Sequence, residues 1–308
     1  MRKVRGRSLR VEPMAQAPTV DTSGAPVDCY RSSLYTADEL YDTTAYAGSL
    51  DQRAHVWALQ PPSPRDSLVQ ALHDHAVDEA LTDWLAGRSL VGVMGGHALV
   101  RGEAAYADAA RLGALLGRGH TVATGGGPGA MEAANLGGRL SQEPEAVLTE
   151  ALERLAAVPS YHPSVDAWVV AARPVMTLGD SPTLGIPTWF YGHEPSNVFA
   201  TAIAKYFRNA LREAILLQIC DAGIVFLPGA AGTVQEVFQD ACENYYAAEA
   251  SVAPMVLVGG SYWTSTVPVW PVLQALARGR AMEQHLHLVE TADDAARLIG
   301  ERDLGSTA

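Results

Sequence analysis

The stretch LPGAAGTVQE, residues 227–236, joins an apolar segment to a helical pattern. AGIVFL (222–227) before it indicates a short buried strand. VQEVFQDACENYY (234–246) after it indicates an amphipathic helix with Val237, Ala241 and Tyr245 on one side. The stretch therefore predicts a strand-to-helix turn, where the first helical N–H groups have no partner and lie at the positive end of the helix dipole. Small residues there let the oxygens of an anion approach the backbone.

The same order of strand, turn and helix recurs over residues 88–301. Apolar runs predict strands at 89–96, 120–127, 166–172, 183–192, 222–227, 254–260 and near 285–289. Helical patterns cover 102–119, 128–138, 143–157, 196–220, 232–247 and 263–278, with a last helix up to residue 300. Such alternation predicts an α/β, Rossmann-like fold: a doubly wound parallel sheet with helices on both faces.

The segments outside this pattern suggest a simple domain organisation. Residues 1–28 carry basic residues and little apolar content, which predicts a disordered basic tail. Residues 29–87 predict an N-terminal arm with a helix at 67–86. Within the Rossmann-like domain, 88–301, residues 139–182 form an insert, and residues 302–308 form a short tail.

Composition excludes several classes of protein. The 308 residues are 48% hydrophobic, but no run of 18 apolar residues occurs, so we expect no membrane span. The three cysteines form no CxxC motif, which favours a reduced, cytoplasmic setting without disulfides. A net charge of −12 makes nucleic acid an unlikely main ligand.

Glycine-rich turns follow three of the predicted strands: VMGGH (93–97), ATGGGPGAME (123–132) and FLPGAAGTVQE (226–236). The carboxyl ends of parallel strands lie at one edge of a sheet, which is where ligands of open α/β sheets bind. Three such turns at one edge favour a ligand that carries a phosphate group.

Other cofactor sites fit less well. A Walker P-loop needs a lysine after its glycines, and no lysine lies near these turns. The dinucleotide fingerprint GxGxxA matches Gly125, Gly127 and Ala130, but Glu143 and Glu145 fall in a predicted helix instead of at the end of the next strand. An NAD-dependent enzyme therefore remains an alternative, whereas no residue spacing indicates a metal site.

GGGPGAM (125–131) paired with PGAAGTVQE (228–236) resembles the LONELY GUY family of nucleoside 5′-monophosphate phosphoribohydrolases, in its larger bacterial form. The family motif is PGGxGTxxE, and Ala230 stands where the family usually has glycine. The resemblance covers about residues 88–300. These enzymes are often labelled lysine decarboxylases, but Lys205, which we place in the predicted helix 196–220, is the one lysine outside the basic tail and makes that chemistry improbable.

The resemblance implies hydrolysis of the N-glycosidic bond of a nucleoside 5′-monophosphate to a free base and ribose 5-phosphate. It implies Glu236 as the catalytic carboxylate and Arg212, in the helix before the motif, as the catalytic arginine. No cofactor is expected, and the family suggests a homodimer or higher homo-oligomer. A sensor of the same fold, which binds a nucleotide without turnover, is the other alternative.

Further residues are expected to line this site. The predicted phosphate and substrate contacts are Gly229, Ala230, Ala231, Gly232, Thr233, Gly95, Gly96, His97, Gly126, Gly127, Gly129, Met131 and Glu132. Asp240, His193, Glu194 and Asn197 are further candidates, with helix capping or solvent exposure as their alternative roles.

Overall fold

The chain folds around one seven-stranded parallel sheet, in a computed structural model that describes residues 20–190 and 194–306, with side chains as far as residue 300. The strands are β1 Leu90–Met94, β2 Thr121–Thr124, β3 Thr183–Gly185, β4 Ala202–Ile203, β5 Gly223–Phe226, β6 Met255–Val258 and β7 Leu286–Val289. Their order across the sheet is β4-β3-β2-β1-β5-β6-β7, and every neighbouring pair is parallel. The predicted α/β, Rossmann-like fold is confirmed.

Helices precede the sheet and connect its strands. They are α1 Ala37–Leu40, α2 Leu50–Ala58, α3 Pro64–Leu85, α4 Ala104–Leu116, α5 Ala130–Arg139, α6 Glu145–Leu155, α7 Val165–Met176, α8 Asn209–Gln218, α9 Ala231–Tyr246, α10 Trp270–Ala277 and α11 Ala292–Ser306. In the described part of the chain, no helix is long and apolar enough to cross a membrane.

Helices α4 and α5 pack so closely that glycine is required between them. A Cβ atom on Gly137 would lie 1.8 Å from the carbonyl oxygen of Ala110, and one on Gly113 would lie 2.1 Å from that of Ala134. Because α5 begins at the end of the turn after β2, this packing also fixes where that turn meets its helix.

The predicted strand at 166–172 is wrong, because these residues belong to α7. Ser164 caps the helix by accepting a hydrogen bond from the backbone N–H of Ala167. Trp168, Ala172 and Val175 then recur at helical spacing and are buried. The run of apolar residues fits a buried strand as well as a helix, so the sequence alone does not separate them.

The predicted long helix at 196–220 is also wrong, since only Asn209–Gln218 is helical there and β4 occupies part of the remainder. The side chain of Asn197 accepts hydrogen bonds from the N–H groups of Phe199 and Ala200, which forms a turn. Asp74 of α3 accepts the N–H groups of Phe207 and Arg208 just before α8 begins. Contacts with distant residues therefore replace the local helical preference.

The segment from residue 20 to 87 packs against the β4 side of the sheet. Tyr35 exchanges two backbone hydrogen bonds with Ile203 of β4, each of 2.9 Å. Residues 1–19 of the predicted basic tail lie outside the described residues, whereas Val27, predicted to be disordered, is buried.

A buried ion pair joins this segment to the chain just after β4. The Nζ of Lys205 lies 2.5 Å from Oδ1 of Asp51, and both side chains are 1% exposed. Asp51 also accepts hydrogen bonds from the Trp189 indole at 2.9 Å and the Tyr46 hydroxyl at 3.0 Å. Lys205 is thus a packed, ion-paired residue outside any helix, and the pair compensates the cost of burying its charge.

Removing one partner of this pair should destabilise the fold strongly. Asp51→Ala leaves a buried ammonium group without its partner, and we expect a loss of about 3–5 kcal/mol in the free energy of unfolding. Urea unfolding followed by circular dichroism measures this loss. Glu150→Ala, which breaks the exposed Arg154–Glu150 pair of α6, should cost less than about 1 kcal/mol. Equal losses in both variants would contradict the role given to Asp51.

Candidate functional site

The turns after β1, β2 and β5 meet at one edge of the sheet, because these three strands are neighbours. The N–H of Gly96 donates to the carbonyl of Pro228 at 3.2 Å, and the N–H of Ala130 donates to that of Gly96 at 3.1 Å. A Cβ atom on Gly129 would lie 2.6 Å from the Gly96 oxygen, and one on Gly95 would lie 2.9 Å from Ala130 Cβ. The three glycine turns therefore form one contiguous backbone surface.

Two glycines of the second turn have a backbone conformation that L side chains rarely adopt. Gly126 has φ +72° and Gly129 has φ +75°. Ala230, in contrast, has φ −84°, which any residue can adopt. The alanine that replaces the usual family glycine at this position therefore imposes no backbone strain.

The N-terminus of α9 is open to solvent. Its first residues, Ala231 and Gly232, are exposed, and no side chain caps it. The first backbone hydrogen bond of the helix is donated by the N–H of Val234 to the carbonyl of Ala230. Among the described residues, the N–H groups of Ala231, Gly232 and Thr233 consequently have no acceptor of their own, and they lie at the positive end of a 16-residue helix, which favours an anion.

The turn before α9 is held by contacts that sequence analysis did not identify. The hydroxyl of Tyr262 donates to the carbonyl of Gly229 at 2.8 Å. A Cβ atom on Gly229 would lie only 2.2 Å from Oγ1 of Thr233, so the Thr233 hydroxyl lies directly against the turn. Thr233, which is predicted to bind phosphate, is 5% exposed, and its hydroxyl lies against Gly229.

Arg212 and Glu236 meet, although they lie on different helices. Nη1 of Arg212 is 3.6 Å from Oε1 of Glu236, and the two side chains are 12% and 13% exposed. Nη1 would also lie 3.1 Å from a Cβ atom on Gly125, so Arg212 reaches across to the second glycine turn. The structure thus brings together the two predicted catalytic residues and two of the three turns.

Arg212 is oriented by its own helix. Its Nε donates to Oδ1 of Asn209 at 3.3 Å, and its Nη2 lies 3.5 Å from the carboxylate of Glu213. Glu213 in turn accepts a hydrogen bond of 2.7 Å from Gln235 of α9. Asn209 and Glu213 lie outside the glycine motifs, and Gln235 occupies a variable position of PGGxGTxxE, so the sequence did not indicate that they support the site.

The two carboxyl groups of α9 in this region are both difficult to ionise. Burial raises the pKa of Glu236 to about 7, against the opposing effect of the Arg212 charge. Burial also raises the pKa of Asp240 well above its usual value, and the charge of Glu243 adds to this shift. Among the described residues, Oδ2 of Asp240 has no hydrogen-bond partner. Glu236 can therefore change protonation state near neutral pH.

Asn197 supports the second turn. Its backbone N–H donates to the carbonyl of Gly126 at 2.8 Å. Its side-chain amide donates to the backbone carbonyl of Gly127 and to the side-chain oxygen of Asn135. Because its Oδ1 also accepts two backbone N–H groups, the hydrogen-bonding capacity of this amide is filled within the protein. Asn197 positions the turn; it does not cap a helix at 196–220 as the sequence suggested.

Glu132 is adjacent to the site but is already paired. Its Oε1 lies 2.5 Å from Nη2 of Arg101, and both side chains are 1% exposed. Arg101 also donates to the carbonyl of Trp168 and lies over its indole ring. The pair therefore holds the insert helix α7 against α5. Arg101 lies in a loop without a recognisable motif, so the sequence did not predict this pair.

The other candidate residues are distributed around the second turn. Met131 packs beneath it, with Sδ 2.8 Å from a Cβ atom placed on Gly125 and Cε 3.0 Å from one placed on Gly127. His97 and Glu194 face each other on the far side, with Nδ1 3.5 Å from Oε1. His193 lies outside the described residues.

The neighbouring strand does not support a dinucleotide site. The residues that follow β3 up to position 190, IPTWF (186–190), include no carboxylate to bind a ribose hydroxyl. Within the described residues, no group of three histidine, cysteine, aspartate or glutamate side chains could hold a metal ion. A cavity of about 340 Å³ between the arm and α7 shares no residue with the glycine turns.

Known proteins show only distant similarity to this chain. No family model and no curated protein matches the chain. Among solved structures, it is similar to the molybdenum cofactor binding protein from the phototrophic bacterium Rippkaea orientalis, with 16% identity and a TM-score of 0.43 over 70% of this chain and 98% of that chain. The molybdenum cofactor carrier protein from Chlamydomonas reinhardtii gives 15% identity and a TM-score of 0.44 over 70% and 97%.

Substitution of Gly229 should show how tightly the turn is packed. In Gly229→Ala the added methyl group meets Thr233 and the Gly96 backbone, so we expect a loss of about 1–3 kcal/mol in unfolding free energy. Gly232→Ala is the matched control, because its methyl group meets nothing within 4 Å and alanine favours a helix. Urea unfolding of both variants provides the measurement. A neutral Gly229→Ala would show that the turn is looser than described.

The raised pKa of Glu236 also predicts a pH-dependent stability. The folded protein binds this proton more tightly than the unfolded chain, so its contribution to stability is lost as pH rises from 4.5 through about 7. Between pH 4 and pH 8.5, this group should lower the unfolding free energy of the wild type by on the order of 3 kcal/mol. Glu236→Gln should not show this loss.

Urea midpoints of both proteins across this pH range measure the difference. Glu153→Gln, which alters an exposed residue of α6, serves as the control and should follow the wild type at every pH. Parallel pH profiles for the wild type and Glu236→Gln would contradict the assignment.

Proposed function

We propose that this protein hydrolyses the N-glycosidic bond of nucleoside 5′-monophosphates, releasing a free base and ribose 5-phosphate. The observation that carries the proposal is the Arg212–Glu236 pair, separated by 3.6 Å and lying beside the open N-terminus of α9. This arrangement provides an anion site next to a carboxylate of raised pKa. It agrees with the resemblance of the two glycine motifs to the LONELY GUY family.

The phosphate group of the substrate would bind at α9. The N–H groups of Ala231, Gly232 and Thr233 supply hydrogen bonds, and the helix dipole favours a negative charge there. Arg212 can hold phosphate or ribose oxygens with two parallel N–H groups, which a lysine cannot do. Because this binding is remote from the bond that breaks, its energy serves to position the ribose.

The chemistry would take place between the ribose and Glu236. As the bond from C1′ to the base nitrogen breaks, its electrons move to the base and positive charge develops on the sugar. The Glu236 carboxylate stabilises this charge and takes a proton from the water whose oxygen bonds to C1′. The neighbouring Arg212 keeps a fraction of Glu236 ionised at neutral pH, despite its burial.

The experiment measures base release from AMP, GMP, CMP, UMP and IMP, with adenosine as the substrate that lacks phosphate. We expect release from monophosphates alone. Glu236→Gln should lower kcat by about 10²–10⁴-fold, because the glutamine can neither accept a proton nor carry charge. Because ionised Glu236 is required, wild-type activity should increase as pH rises through about 7.

Two controls separate chemistry from folding. Glu153→Gln should keep full activity, and calorimetric binding of ribose 5-phosphate should show that Glu236→Gln still has an intact phosphate site. Nucleotide binding by the wild type without any base release would contradict the proposal and indicate a nucleotide-binding protein without turnover. Equal release from AMP and adenosine would contradict the role of α9.

A further inference from the structure

A small cavity opens on the far side of the second glycine turn from Arg212. Its volume is about 150 Å³, below the roughly 300–1,000 Å³ that is usual for pockets that enclose a whole drug-sized ligand. It therefore suits one part of a ligand. The turns after β1 and β2 contribute His97, Pro128 and Gly129 to its wall, and the insert contributes Pro159, Tyr161 and Trp168.

The backbone of the glycine turns links the wall of the cavity to the phosphate site. Gly129 lines it and packs against Gly96, which is hydrogen-bonded to Pro228 in the turn that leads to α9. Arg212 and Glu194 approach the same turn at different residues: Arg212 Nη1 at Gly125, and Glu194 Oε2 at Gly127, 3.6 Å from the position of a Cβ atom there. A ligand that begins at α9 and crosses this turn would place its other end at the cavity.

The chemistry of the wall favours a planar heterocycle over a second phosphate. Tyr161 packs edge-on against Trp168, and Leu99, Val100 and two prolines form the rest of the apolar wall. Ser160, His162 and Glu132, which is paired with Arg101, add polar groups. Burial and the charge of Glu194 raise the pKa of Tyr161, which keeps this phenol neutral. A phosphate would meet the repulsion of Glu194, whereas a base can stack on an aromatic ring.

His97 stands at the entrance of this cavity with one ring nitrogen engaged. Its Nδ1 lies 3.5 Å from Oε1 of Glu194, so the carboxylate faces this side of the ring. This leaves Nε2 as the nitrogen available to a ligand. Both side chains are partly exposed, 55% and 38%, so solvent reaches the imidazole.

We propose that this cavity binds the base of the nucleotide and that His97, held by Glu194, donates a proton to the departing base. The inference rests on the proposed hydrolysis and extends it to the leaving group. As the C1′–N bond breaks, its electron pair goes to the base, and the proton on Nε2 of His97 goes to a ring nitrogen of that base. Water bonds to C1′ and gives its proton to Glu236, so each bond and proton is accounted for.

The first arm of the test measures binding and needs no turnover. Calorimetry compares AMP with ribose 5-phosphate on Glu236→Gln, which hydrolyses AMP too slowly to disturb the measurement, and on the same variant carrying Tyr161→Ala. AMP should bind more tightly than ribose 5-phosphate, and Tyr161→Ala should weaken AMP by roughly tenfold while leaving ribose 5-phosphate unchanged. Equal affinities for the two ligands, or an unchanged AMP affinity in Tyr161→Ala, would overturn the base site.

The second arm varies the leaving group. His97→Gln should slow base release from AMP by about 10²–10⁴-fold, but should slow p-nitrophenyl ribofuranoside 5-phosphate by less than about fivefold, because nitrophenolate departs without a proton. Glu236→Gln should slow both substrates. His75→Asn, an exposed histidine of α3, is the control and should alter neither rate.

The outcomes separate the inference from the proposed function. If His97→Gln slows both substrates equally, His97 is not the proton donor. If the wild type releases no base from AMP, the proposed hydrolysis fails together with the proton donor, and the binding arm alone decides whether the cavity holds a base.

Discussion

The site depends on backbone lying against backbone at the edge of the sheet. The turns after β1, β2 and β5 approach so closely that a single methyl group on Gly129 or Gly229 would displace a neighbouring turn or side chain. This closeness leaves the first N–H groups of α9 uncovered and brings Arg212 over the second turn. The strand order, the α4–α5 packing and the Tyr262 hydrogen bond all act to maintain it.

Buried charges hold the surroundings of the site in place, and each has its partner on a distant segment. Asp51 pairs with Lys205 near the chain that carries Asn197, while Arg101 pairs with Glu132 and contacts the insert. Burying such pairs contributes little net stability, but breaking one leaves an uncompensated charge. They consequently select one arrangement of the arm, the insert and the turns over alternatives of similar compactness.

The sequence predicted what local patterns determine. Glycine turns between apolar runs and helical patterns identified the sheet, and the family resemblance selected Arg212 and Glu236, which the fold brings within 3.6 Å of each other. Prediction from the sequence failed where the structure is determined by contacts between residues far apart in the chain. Apolar residues at 166–172 fit both secondary structures, and the pattern at 196–208 is overridden by Asp74, Asp51 and Asn197.

The residues that support the site could not be predicted from the sequence either. Glu213 orients Arg212, and Arg101 neutralises Glu132, yet neither residue belongs to a recognisable motif. The pairing of Arg101 with a residue 31 positions away becomes visible only after the helices have packed. Local sequence thus identifies candidate catalytic and binding residues more readily than the residues that orient them.

The bridge between Tyr35 and Ile203 covers an edge of the sheet that is distant from the glycine turns. A two-residue strand at the end of a sheet presents free N–H and carbonyl groups, which can template pairing with another molecule. Tyr35 occupies these groups from the antiparallel direction, and its hydroxyl is anchored to His73 of α3 at 2.7 Å. The arm therefore covers the outer edge of β4, where a strand of another molecule could otherwise pair.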